Sequence, residues 1–314
     1  MNVLTITMNP VLDKSTWASI VVPENKTRCQ SPEYAPGGGG INVSRAIKKL
    51  GGKSTALFVA GGENGDKIQE LLNDEGVDYK MIDSGHNSRE NIMVKDKKTG
   101  SLYRFVMPGN ELKEEVWKET LDAIRNFSPK PDYLIASGSL PPGVPDDFYA
   151  QVAEHAREND IRMILDASGP PLKKALEKKL FLAKPNLREI REILNKESLS
   201  GMDLEEAARE ILDNEYCAVL IVSLGAKGAL FASRDNDVEY IVPPVMPVKS
   251  AVGAGDSMIA GLMFGCIKGL WPEQAVRYGV AAGTAATMTS GTELCNKEDT
   301  DKIYDWLITN NGKN

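Results

Sequence analysis

A glycine-rich turn directly precedes a long apolar run near the C-terminal end of the sequence. Gly253, Ala254 and Gly255 form this turn, and Asp256 follows before the apolar residues that extend to Cys266. Glycine permits a tight turn and leaves backbone N–H groups accessible to a ligand, and the unpaired N–H groups at a helix start attract an anion. A carboxylate beside an anion site is suited to accept a proton from an attacking hydroxyl group. The alternative is that Asp256 only caps the helix.

A second glycine run, at residues 37–40, lies far upstream and also leads into an amphipathic segment, residues 41–50. It predicts a second pocket lined by backbone at a helix start. The run is not a Walker A loop, because no Lys-Ser or Lys-Thr pair follows the glycines. It also lacks the spacing of the dinucleotide fingerprint. A flexible turn is the alternative.

The composition limits the classes of function. The chain has 314 residues with 42% apolar and 26% charged side chains, which is typical of a globular protein with a large core. Its net charge of −7 and the lack of a Lys/Arg block argue against nucleic-acid binding. An anionic substrate must therefore be held by locally placed cations.

Cysteine and histidine usage narrows the chemistry further. The four cysteines are scattered without metal-ligand spacing, which favours a reduced, cytoplasmic protein. The only histidines are His86 and His155, so a histidine metal site or a Ser-His-Asp triad is not expected. The N-terminus does not read as a signal peptide. The most apolar window, residues 251–271, contains Asp256 and Lys268 and is predicted to be a buried helix rather than a membrane span.

Apolar β-rich runs alternate with amphipathic helical runs through most of the chain. This alternation predicts an α/β fold with a mostly parallel central sheet covered by helices on both faces. The predicted strands are 2–7, 55–60, 133–137, 162–166, 180–183 and 218–223, and the predicted helices are 42–50, 65–75, 114–127, 145–159, 187–194, 204–214 and 256–268. Ligands of such folds bind beyond the carboxyl ends of the strands. The segments predicted at those ends are Ser137–Ser139, Asp166, Lys184–Asn186 and Ser223–Gly228.

Two segments interrupt the alternation. Residues 15–34 are strand-like with polar interruptions, and residues 87–106 alternate as strands around a turn at 96–100. Two surface hairpins that lie on the body of the protein are the alternative interpretation of these segments. The other interpretation, a separate small sheet, depends on the resemblance that follows.

Seven motifs in order along the chain resemble the ribokinase-like (PfkB) family of sugar kinases, most closely its phosphofructokinase branch. They are residues 26–29 (KTRC), 36–43 (PGGGGINV), 103–109 (YRFVMPG), 137–143 (SGSLPPG), 184–189 (KPNLRE), 223–228 (SLGAKG) and 252–257 (VGAGDS). The resemblance implies one kinase domain over residues 1–314, a three-layer α/β sandwich in which 15–34 and 87–106 form a small β-sheet lid over the sugar. Such a lid exposes an apolar face and unpaired edges, so a homodimer formed through two lids is expected.

The implied activity is ATP-dependent phosphorylation of fructose 6-phosphate at its 1-hydroxyl group, a reaction of glycolysis. Phosphoryl transfer needs alignment, charge neutralisation and a deprotonated nucleophile. In this resemblance Asp256 accepts the proton, and the N–H groups of Gly253, Ala254 and Gly255 stabilise charge on the transferring group.

Further positions match the family's ligand sites. The nucleotide residues are Lys184, Asn186, Ser223, Gly225 and Gly228, and Glu189 orients water around Mg²⁺. The Asn-x-x-Glu spacing also suits a helix cap without any ligand, and residues 223–228 could form an ordinary hairpin turn. The sugar phosphate residues are Asp13, Lys26, Arg28, Gly38, Gly39, Asn42, Arg89, Arg104 and Ser139. For Lys26, Arg28, Arg89 and Arg104 the alternative is that each is only a solvated charge on the surface of the lid.

Two departures from the family pattern carry information. Ser250-Ala251-Val252 replace the Asp-Thr pair that many relatives have, which removes side-chain ligands for a monovalent cation. Backbone carbonyls around Ser250, Val252, Ala286, Thr289 and Gly291 could still hold K⁺. Kinases of fructose 1-phosphate or tagatose 6-phosphate usually carry a lysine at the position of Gly39. Its absence favours fructose 6-phosphate over those two substrates. A catalytically silent regulator that binds sugar phosphates is the alternative from another class.

Overall fold

The computed structural model describes residues 1–196, 204–235 and 238–310. The strands, numbered in chain order, are β1 Val3–Thr7, β2 Val11–Ala18, β3 Glu33–Gly37, β4 Thr55–Ala60, β5 Asp78–Asp83, β6 Arg89–Asp96, β7 Leu102–Phe105, β8 Tyr133–Ser137, β9 Arg162–Asp166, β10 Leu180–Ala183, β11 Cys217–Ser223, β12 Ala229–Ser233 and β13 Glu239–Ile241. The helices are α1 Gly39–Leu50, α2 Gly62–Asp74, α3 Glu114–Arg125, α4 Phe148–Glu158, α5 Gly169–Leu176, α6 Leu187–Ile193, α7 Leu204–Asp213, α8 Ala254–Ile267, α9 Glu273–Thr287 and α10 Lys297–Thr309.

A nine-stranded sheet forms the centre of the molecule, with the order β13-β12-β11-β10-β9-β8-β1-β4-β5. Every pair from β5 to β11 is parallel, and only β12 and β13 are added antiparallel at one edge. The predicted mostly parallel sheet is therefore confirmed. The sequence prediction missed β5, β12 and β13.

Two apolar cores lie on opposite faces of this sheet because successive strand residues point to opposite sides. In β1, for example, Leu4 packs in the core that includes α3 to α7, whereas Val3 packs in the core that includes α1, α8, α9 and α10. The two faces and the sheet make three layers, as expected. The helices α5, α9 and α10 were not predicted. For α9 the reason is that it is rich in alanine and glycine and its apolar pattern is weak.

A separate four-stranded sheet has the order β3-β2-β6-β7. The two central strands β2 and β6 are parallel, so the two segments form one sheet, as the family resemblance implied, and the alternative of two separate hairpins is excluded. Its strands do not follow the predicted bounds: β2 begins at Val11, and residues 19–32 between β2 and β3 carry only an isolated bridge from Ala18 to Cys29. The turn at 96–100 is present, with the Gly100 N–H bonded to the Asp96 carbonyl at 2.9 Å.

The most apolar window, residues 251–271, was predicted to be a buried helix rather than a membrane span. Among the helices in the described part of the chain, none has both the length and the apolar character that crossing a bilayer would require.

Candidate active site

A cavity of about 340 Å³ lies between the small sheet and the carboxyl ends of the central strands. Its lining residues are Val11, Asp13, Gly38, Asn42, Arg89, Asn91, Ile92, Met93, Arg104, Phe105, Val106, Ala251, Val252, Gly253 and Asp256. The structure thus brings together residues from both glycine-rich segments, from the start of β2 and from the second interrupting segment, residues 87–106. Such a position, beyond the carboxyl ends of parallel strands, is where α/β folds bind ligands.

Asp256 reaches this cavity from the first turn of α8. Its Oδ2 accepts a hydrogen bond of 2.9 Å from Nδ2 of Asn42, and its Oδ1 lies 3.4 Å from the hydroxyl group of Ser137. Burial, together with the nearby charge of Asp166, raises the pKa of Asp256 to about 6, against the effect of Asn42, Lys184 and Ser137. Near neutral pH the carboxylate is therefore mostly ionised but basic enough to accept a proton.

The start of α8 is open to an anion. Gly253 is the N-cap residue, with φ of 74°, and within the described residues no side chain caps this helix. The first helical hydrogen bond runs from the Ser257 N–H to the Gly253 carbonyl at 2.8 Å. The N–H groups of Gly255 and Asp256 precede that bond and can donate to a ligand. Asp256 is therefore not the cap of its helix.

A buried charge network lies next to this turn. Lys184 is 6% exposed, and its ammonium group lies 3.1 Å from Oδ1 of Asp166, at the end of β9. Burial opposes the charge of Lys184, but the carboxylates of Asp166, Asp256 and Glu189 outweigh it and raise its pKa. The ammonium group of Lys184 is therefore positively charged and lies beside the start of α8. Sequence reasoning placed Asp166 at this edge of the sheet but gave it no role.

Asn186 and Glu189 form a capping box at the start of α6. The Asn186 side chain accepts hydrogen bonds from the N–H groups of Arg188 and Glu189, at 2.9 and 3.0 Å, and Glu189 Oε2 accepts the Asn186 N–H at 2.9 Å. Burial raises the pKa of Glu189, with Asp166 adding to the effect and Lys184 opposing it. The helix cap that the Asn-x-x-Glu spacing allows is therefore present. It also holds the Glu189 carboxylate close to Lys184.

The segment Ser223–Gly228 lies beside this capping box. Ser223 pairs with Asn186 in an isolated parallel bridge, and its N–H donates to the Pro185 carbonyl at 3.0 Å. Gly225 and Gly228 have φ of 61° and 83°, which permits the tight turn between β11 and β12. The hairpin turn that was the alternative for residues 223–228 is thus present. The role of these residues in binding the nucleotide stays a prediction.

The opposite wall of the cavity carries Asp13, Asn91, Arg89 and Arg104. Asp13 is buried, which raises its pKa, while a hydrogen bond of 3.0 Å from Asn91 and the charges of Arg89 and Arg104 oppose that rise. The Arg89 guanidinium also donates to the carbonyls of Asn9, at 2.9 Å, and Met107, at 3.0 Å. Arg89 therefore both lines the cavity and holds the base of the small sheet to the body. Sequence reasoning missed Asn91, because an asparagine within a strand carries no signal by itself.

The glycines at the start of α1 are tightly surrounded. Gly38 has φ of 113°, a conformation that favours glycine. A Cβ at Gly39 would lie 2.7 Å from the carbonyl carbon of Ser137, so the backbone of α1 passes directly over the end of β8. Close approach, rather than flexibility, explains the run of glycines.

Four predicted sugar phosphate residues, Lys26, Arg28, Gly39 and Ser139, lie outside the cavity lining. Lys26 and Arg28 are exposed in the connection between β2 and β3, and Ser139 is exposed while its hydroxyl group accepts a 3.1 Å hydrogen bond from Asn9. Their contact with a sugar phosphate stays a prediction. For Lys26 and Arg28 it requires movement of this connection or a second copy of the chain.

The segments predicted to hold K⁺ lie next to each other. The Ser250 hydroxyl group donates to the Gly291 carbonyl at 3.1 Å, and the Val252 N–H donates to the Ser250 hydroxyl group at 3.2 Å. The Ala286 carbonyl accepts a 2.8 Å hydrogen bond from the hydroxyl group of Thr289. These contacts bring residues 250–252 close to Gly291, and the binding of K⁺ at these carbonyls stays a prediction. Within residues 1–196, 204–235 and 238–310 no cluster of three or more His, Cys, Asp or Glu side chains fits a metal ion.

A doubly covered parallel sheet, with a carboxylate and an anion site at the ends of its strands, is the arrangement of an α/β enzyme. The sequence profile described as pfkB family carbohydrate kinase matches residues 3–299, and the chain belongs to that family.

Similar sequences come from several bacteria. An ATP-dependent 6-phosphofructokinase isozyme 2 from Mycobacterium tuberculosis is 41% identical over 303 residues, covering 96% of this chain and 89% of the relative. One of the same name from Escherichia coli is 40% identical over 308 residues, covering 98% and 99%. A 1-phosphofructokinase from Borreliella burgdorferi is more distant, at 32% identity over 302 residues with 96% of each chain covered.

Solved structures agree with the sequence relatives. Phosphofructokinase-2 from Escherichia coli in complex with potassium has a TM-score of 0.93 at 40% identity, covering 98% of this chain and 99% of that chain. The same protein in complex with fructose-6-phosphate has a TM-score of 0.91 at 39% identity with the same coverage. Its tetrameric inhibited form also has a TM-score of 0.91 at 39% identity, again with that coverage.

Proposed function

We propose that this protein transfers a phosphoryl group from ATP to the 1-hydroxyl group of fructose 6-phosphate, which yields fructose 1,6-bisphosphate. The observation that carries this proposal is the cavity in which Asp256 faces Asp13, Arg89 and Arg104. Two arginines give an acidic chain a local attraction for a sugar phosphate. The relatives at 40–41% identity are ATP-dependent 6-phosphofructokinases, which supports the same substrate.

In the proposed reaction the sugar lies between the small sheet and the start of α8. Asp13 accepts hydrogen bonds from the sugar hydroxyl groups. Asp256 accepts the proton of the 1-hydroxyl group while the oxygen of that hydroxyl group attacks the γ-phosphorus of ATP. The N–H groups at the start of α8 and the ammonium group of Lys184 then stabilise the charge on the transferring phosphoryl group. Lys184 is suited to this because its position is fixed by Asp166 before the substrate binds.

Metal ions complete the proposal. Glu189, fixed by the capping box, would orient water around Mg²⁺, which neutralises phosphate charge when bound. The carbonyls of Ser250, Val252, Ala286, Thr289 and Gly291 would hold K⁺ next to the glycine turn. The potassium complex of the Escherichia coli protein supports this second site.

We further propose that residues 15–34 and 87–106 act as a lid over the sugar and that two copies pair through their lids. The lid leaves large apolar side chains at least 38% exposed, namely Trp17, Ile20, Val22, Tyr34, Leu102, Tyr103, Phe105 and Val106. Pairing would bury them and the unpaired edges of β3 and β7. The four free cysteines, three of them buried, support a cytoplasmic location.

The decisive test is release of ADP, in a coupled assay, with fructose 6-phosphate, fructose 1-phosphate and tagatose 6-phosphate as acceptors. We expect the highest kcat/KM with fructose 6-phosphate and loss of turnover in Asp256→Asn. A higher kcat/KM with either other sugar would favour 1-phosphofructokinase or tagatose-6-phosphate kinase. Sugar binding by calorimetry without ADP release from any of the three would indicate a silent regulator.

A further inference from the structure

A buried arginine lies behind the proposed base and does not itself line the cavity. Arg45 is 3% exposed and lies on α1, one turn after Asn42. Its Nε and one terminal nitrogen donate to the two carboxylate oxygens of Glu75 at 2.8 and 2.6 Å. The other terminal nitrogen donates to the Pro36 carbonyl at 2.8 Å and lies 3.4 Å from Oδ1 of Asn42. The bidentate pair and the carbonyl fix the guanidinium group in one orientation.

The side-chain amide of Asn42 lies between Arg45 and Asp256. A guanidinium group only donates hydrogen bonds, and an ionised carboxylate only accepts them. Only one of the two amide orientations satisfies both neighbours, with the oxygen toward Arg45 and the NH₂ group toward Asp256. The reverse orientation would place like partial charges together on both sides. Residues at i and i+3 of a helix lie on one face, which explains why α1 can place Asn42 and Arg45 in this relationship.

We propose that Arg45 is a positioning residue, which fixes the Asn42 amide so that it holds Oδ2 of Asp256 and leaves Oδ1 to accept the proton. This inference rests on the proposed function for the role of Asp256 as a base. Glu75, at the end of α2, holds Arg45 but does not contact Asn42, so it offers a matched control.

The readout is the titration of Asp256. The hydrogen bond from Asn42 favours the ionised carboxylate and lowers its pKa, against burial that raises it. Other charged groups around Asp256 are Asp166 on β9 and Lys184 after β10, with Glu189 near Lys184. Those across the cavity are Asp13, Arg89 and Arg104. Among these groups, Asp13, whose pKa is raised by burial, also interacts with the Arg45 charge, which lowers the pKa of Asp13.

The experiment is a ¹³C NMR titration of carboxyl-labelled aspartate in the free protein, with the Asp256 signal assigned by its absence in Asp256→Asn. We expect a midpoint at a pH of about 6 in the unchanged protein. In Arg45→Met the amide is free to reorient, and the midpoint should rise by about one pH unit, the effect of losing a hydrogen bond to a charged group. In Glu75→Gln, which retains Arg45, the midpoint should stay in place.

Arg45→Met leaves the Glu75 carboxylate without its partner, so folding is checked by thermal unfolding. If that variant does not fold, Arg45→Met/Glu75→Leu replaces the whole ion pair by apolar groups, a change that buried pairs often tolerate. The double variant should show the same raised midpoint. An unchanged midpoint in whichever of the two folds, or an equal shift in Glu75→Gln, overturns the proposal.

Kinetics provide the second readout. The pH below which kcat declines should move upward with Arg45→Met and not with Glu75→Gln. Ionisation of the substrate phosphate is common to all variants, so it cannot produce a difference between them. A raised NMR midpoint with an unmoved pH profile would overturn the link to proton transfer. Failure of the unchanged protein to use fructose 6-phosphate would instead overturn the proposed function, because the NMR titration requires no substrate.

Discussion

The side-chain amide of Asn91 donates a hydrogen bond of 3.0 Å to Oδ1 of Asp13, its direct partner across the two central strands of the small sheet. The oxygen of the same amide accepts a 3.1 Å hydrogen bond from the N–H of Met107, where the chain leaves β7. One side chain thus orients a carboxylate of the cavity and joins β6 to the segment that follows β7. This arrangement makes Asn91 a candidate for sugar recognition.

Asn91→Ala should raise KM for the sugar phosphate about tenfold or more, because a hydrogen bond to a charged group contributes about 1.5–3 kcal/mol. KM for ATP should change little. The matched control is Glu90→Gln on the same strand, since Glu90 pairs with Lys14 at 2.8 Å and does not line the cavity. Steady-state kinetics with each substrate varied in turn make the comparison. Equal changes in the two KM values would mean that Asn91 supports the fold and not the sugar.

Asp256→Asn should lower kcat by about 10²–10⁴, the range expected for loss of a general base. Asparagine keeps the shape of the side chain, so the affinity for ATP, measured by calorimetry, should stay nearly the same. Asp305→Asn makes the same chemical change on an exposed position of α10 and should leave kcat unchanged. If Asp256→Asn retained more than about a tenth of the turnover, the loss would be too small for the removal of a general base, and the assignment of Asp256 would be wrong.

The pH profile should report the ionisation of Asp256. Its pKa is raised to about 6, so the carboxylate is ionised above that pH and takes up a proton below it. Because a base must be ionised to act, kcat should be near its maximum at neutral pH. It should fall about tenfold for each pH unit well below 6. The residual activity of Asp256→Asn should not share this decline. A profile that is flat from pH 5 to 8 would contradict the assignment of the base.

Arg28 and Arg89 should affect the sugar phosphate more than ATP. Loss of a charge-assisted contact costs about 1.5–3 kcal/mol, so alanine at either position should raise KM for the sugar phosphate. Arg89→Ala should also lower the thermal stability, because its guanidinium group holds the carbonyls of Asn9 and Met107. Arg28→Ala should not, since Arg28 is exposed. Arg125→Ala, on the exposed face of α3, is the control. Equal effects on both substrates would remove Arg28 and Arg89 from the sugar site.

Much of the central fold follows from patterns that a sequence displays. The strands β1, β4, β8, β9, β10 and β11 are short apolar runs bounded by polar or glycine residues, and each was placed within one residue at either end. Their carboxyl ends carry Asp166, Lys184 and Asn186, so the edge of the sheet that binds ligands was predictable. The position of Asp256 was predictable because a glycine turn that opens a helix leaves backbone N–H groups accessible to a ligand, and Asp256 follows this turn directly.

Other features depend on contacts that the sequence does not display. The strand pair β2 and β6 joins residues far apart in the chain, so the small sheet could not be distinguished from two hairpins by periodicity alone. Asn42 was expected to bind phosphate, yet its amide donates to Asp256, a contact between residues 214 positions apart. Arg28 was placed at the sugar because it is a cation on the lid, but its side chain lies outside the cavity of its own chain. Polar residues acquire roles through their neighbours, and neighbours across the fold are not visible in one sequence.

Gly39→Lys tests the substrate preference directly, because kinases of fructose 1-phosphate or tagatose 6-phosphate usually carry a lysine at this position. The structure adds a steric effect, since a Cβ at Gly39 would lie 2.7 Å from the carbonyl carbon of Ser137, whose hydroxyl group contacts Asp256. Activity on fructose 6-phosphate should therefore fall in Gly39→Lys and also in Gly39→Ala, which adds the Cβ without the ammonium group. Only Gly39→Lys should raise kcat/KM for tagatose 6-phosphate or fructose 1-phosphate relative to that for fructose 6-phosphate, the ratio that measures discrimination in the transition state. If the ratio rises equally in both variants, crowding at Ser137 explains the change. If it rises in neither, Gly39 does not determine the substrate, and the preference for fructose 6-phosphate rests on the groups of the opposite wall, Asp13, Arg89 and Arg104.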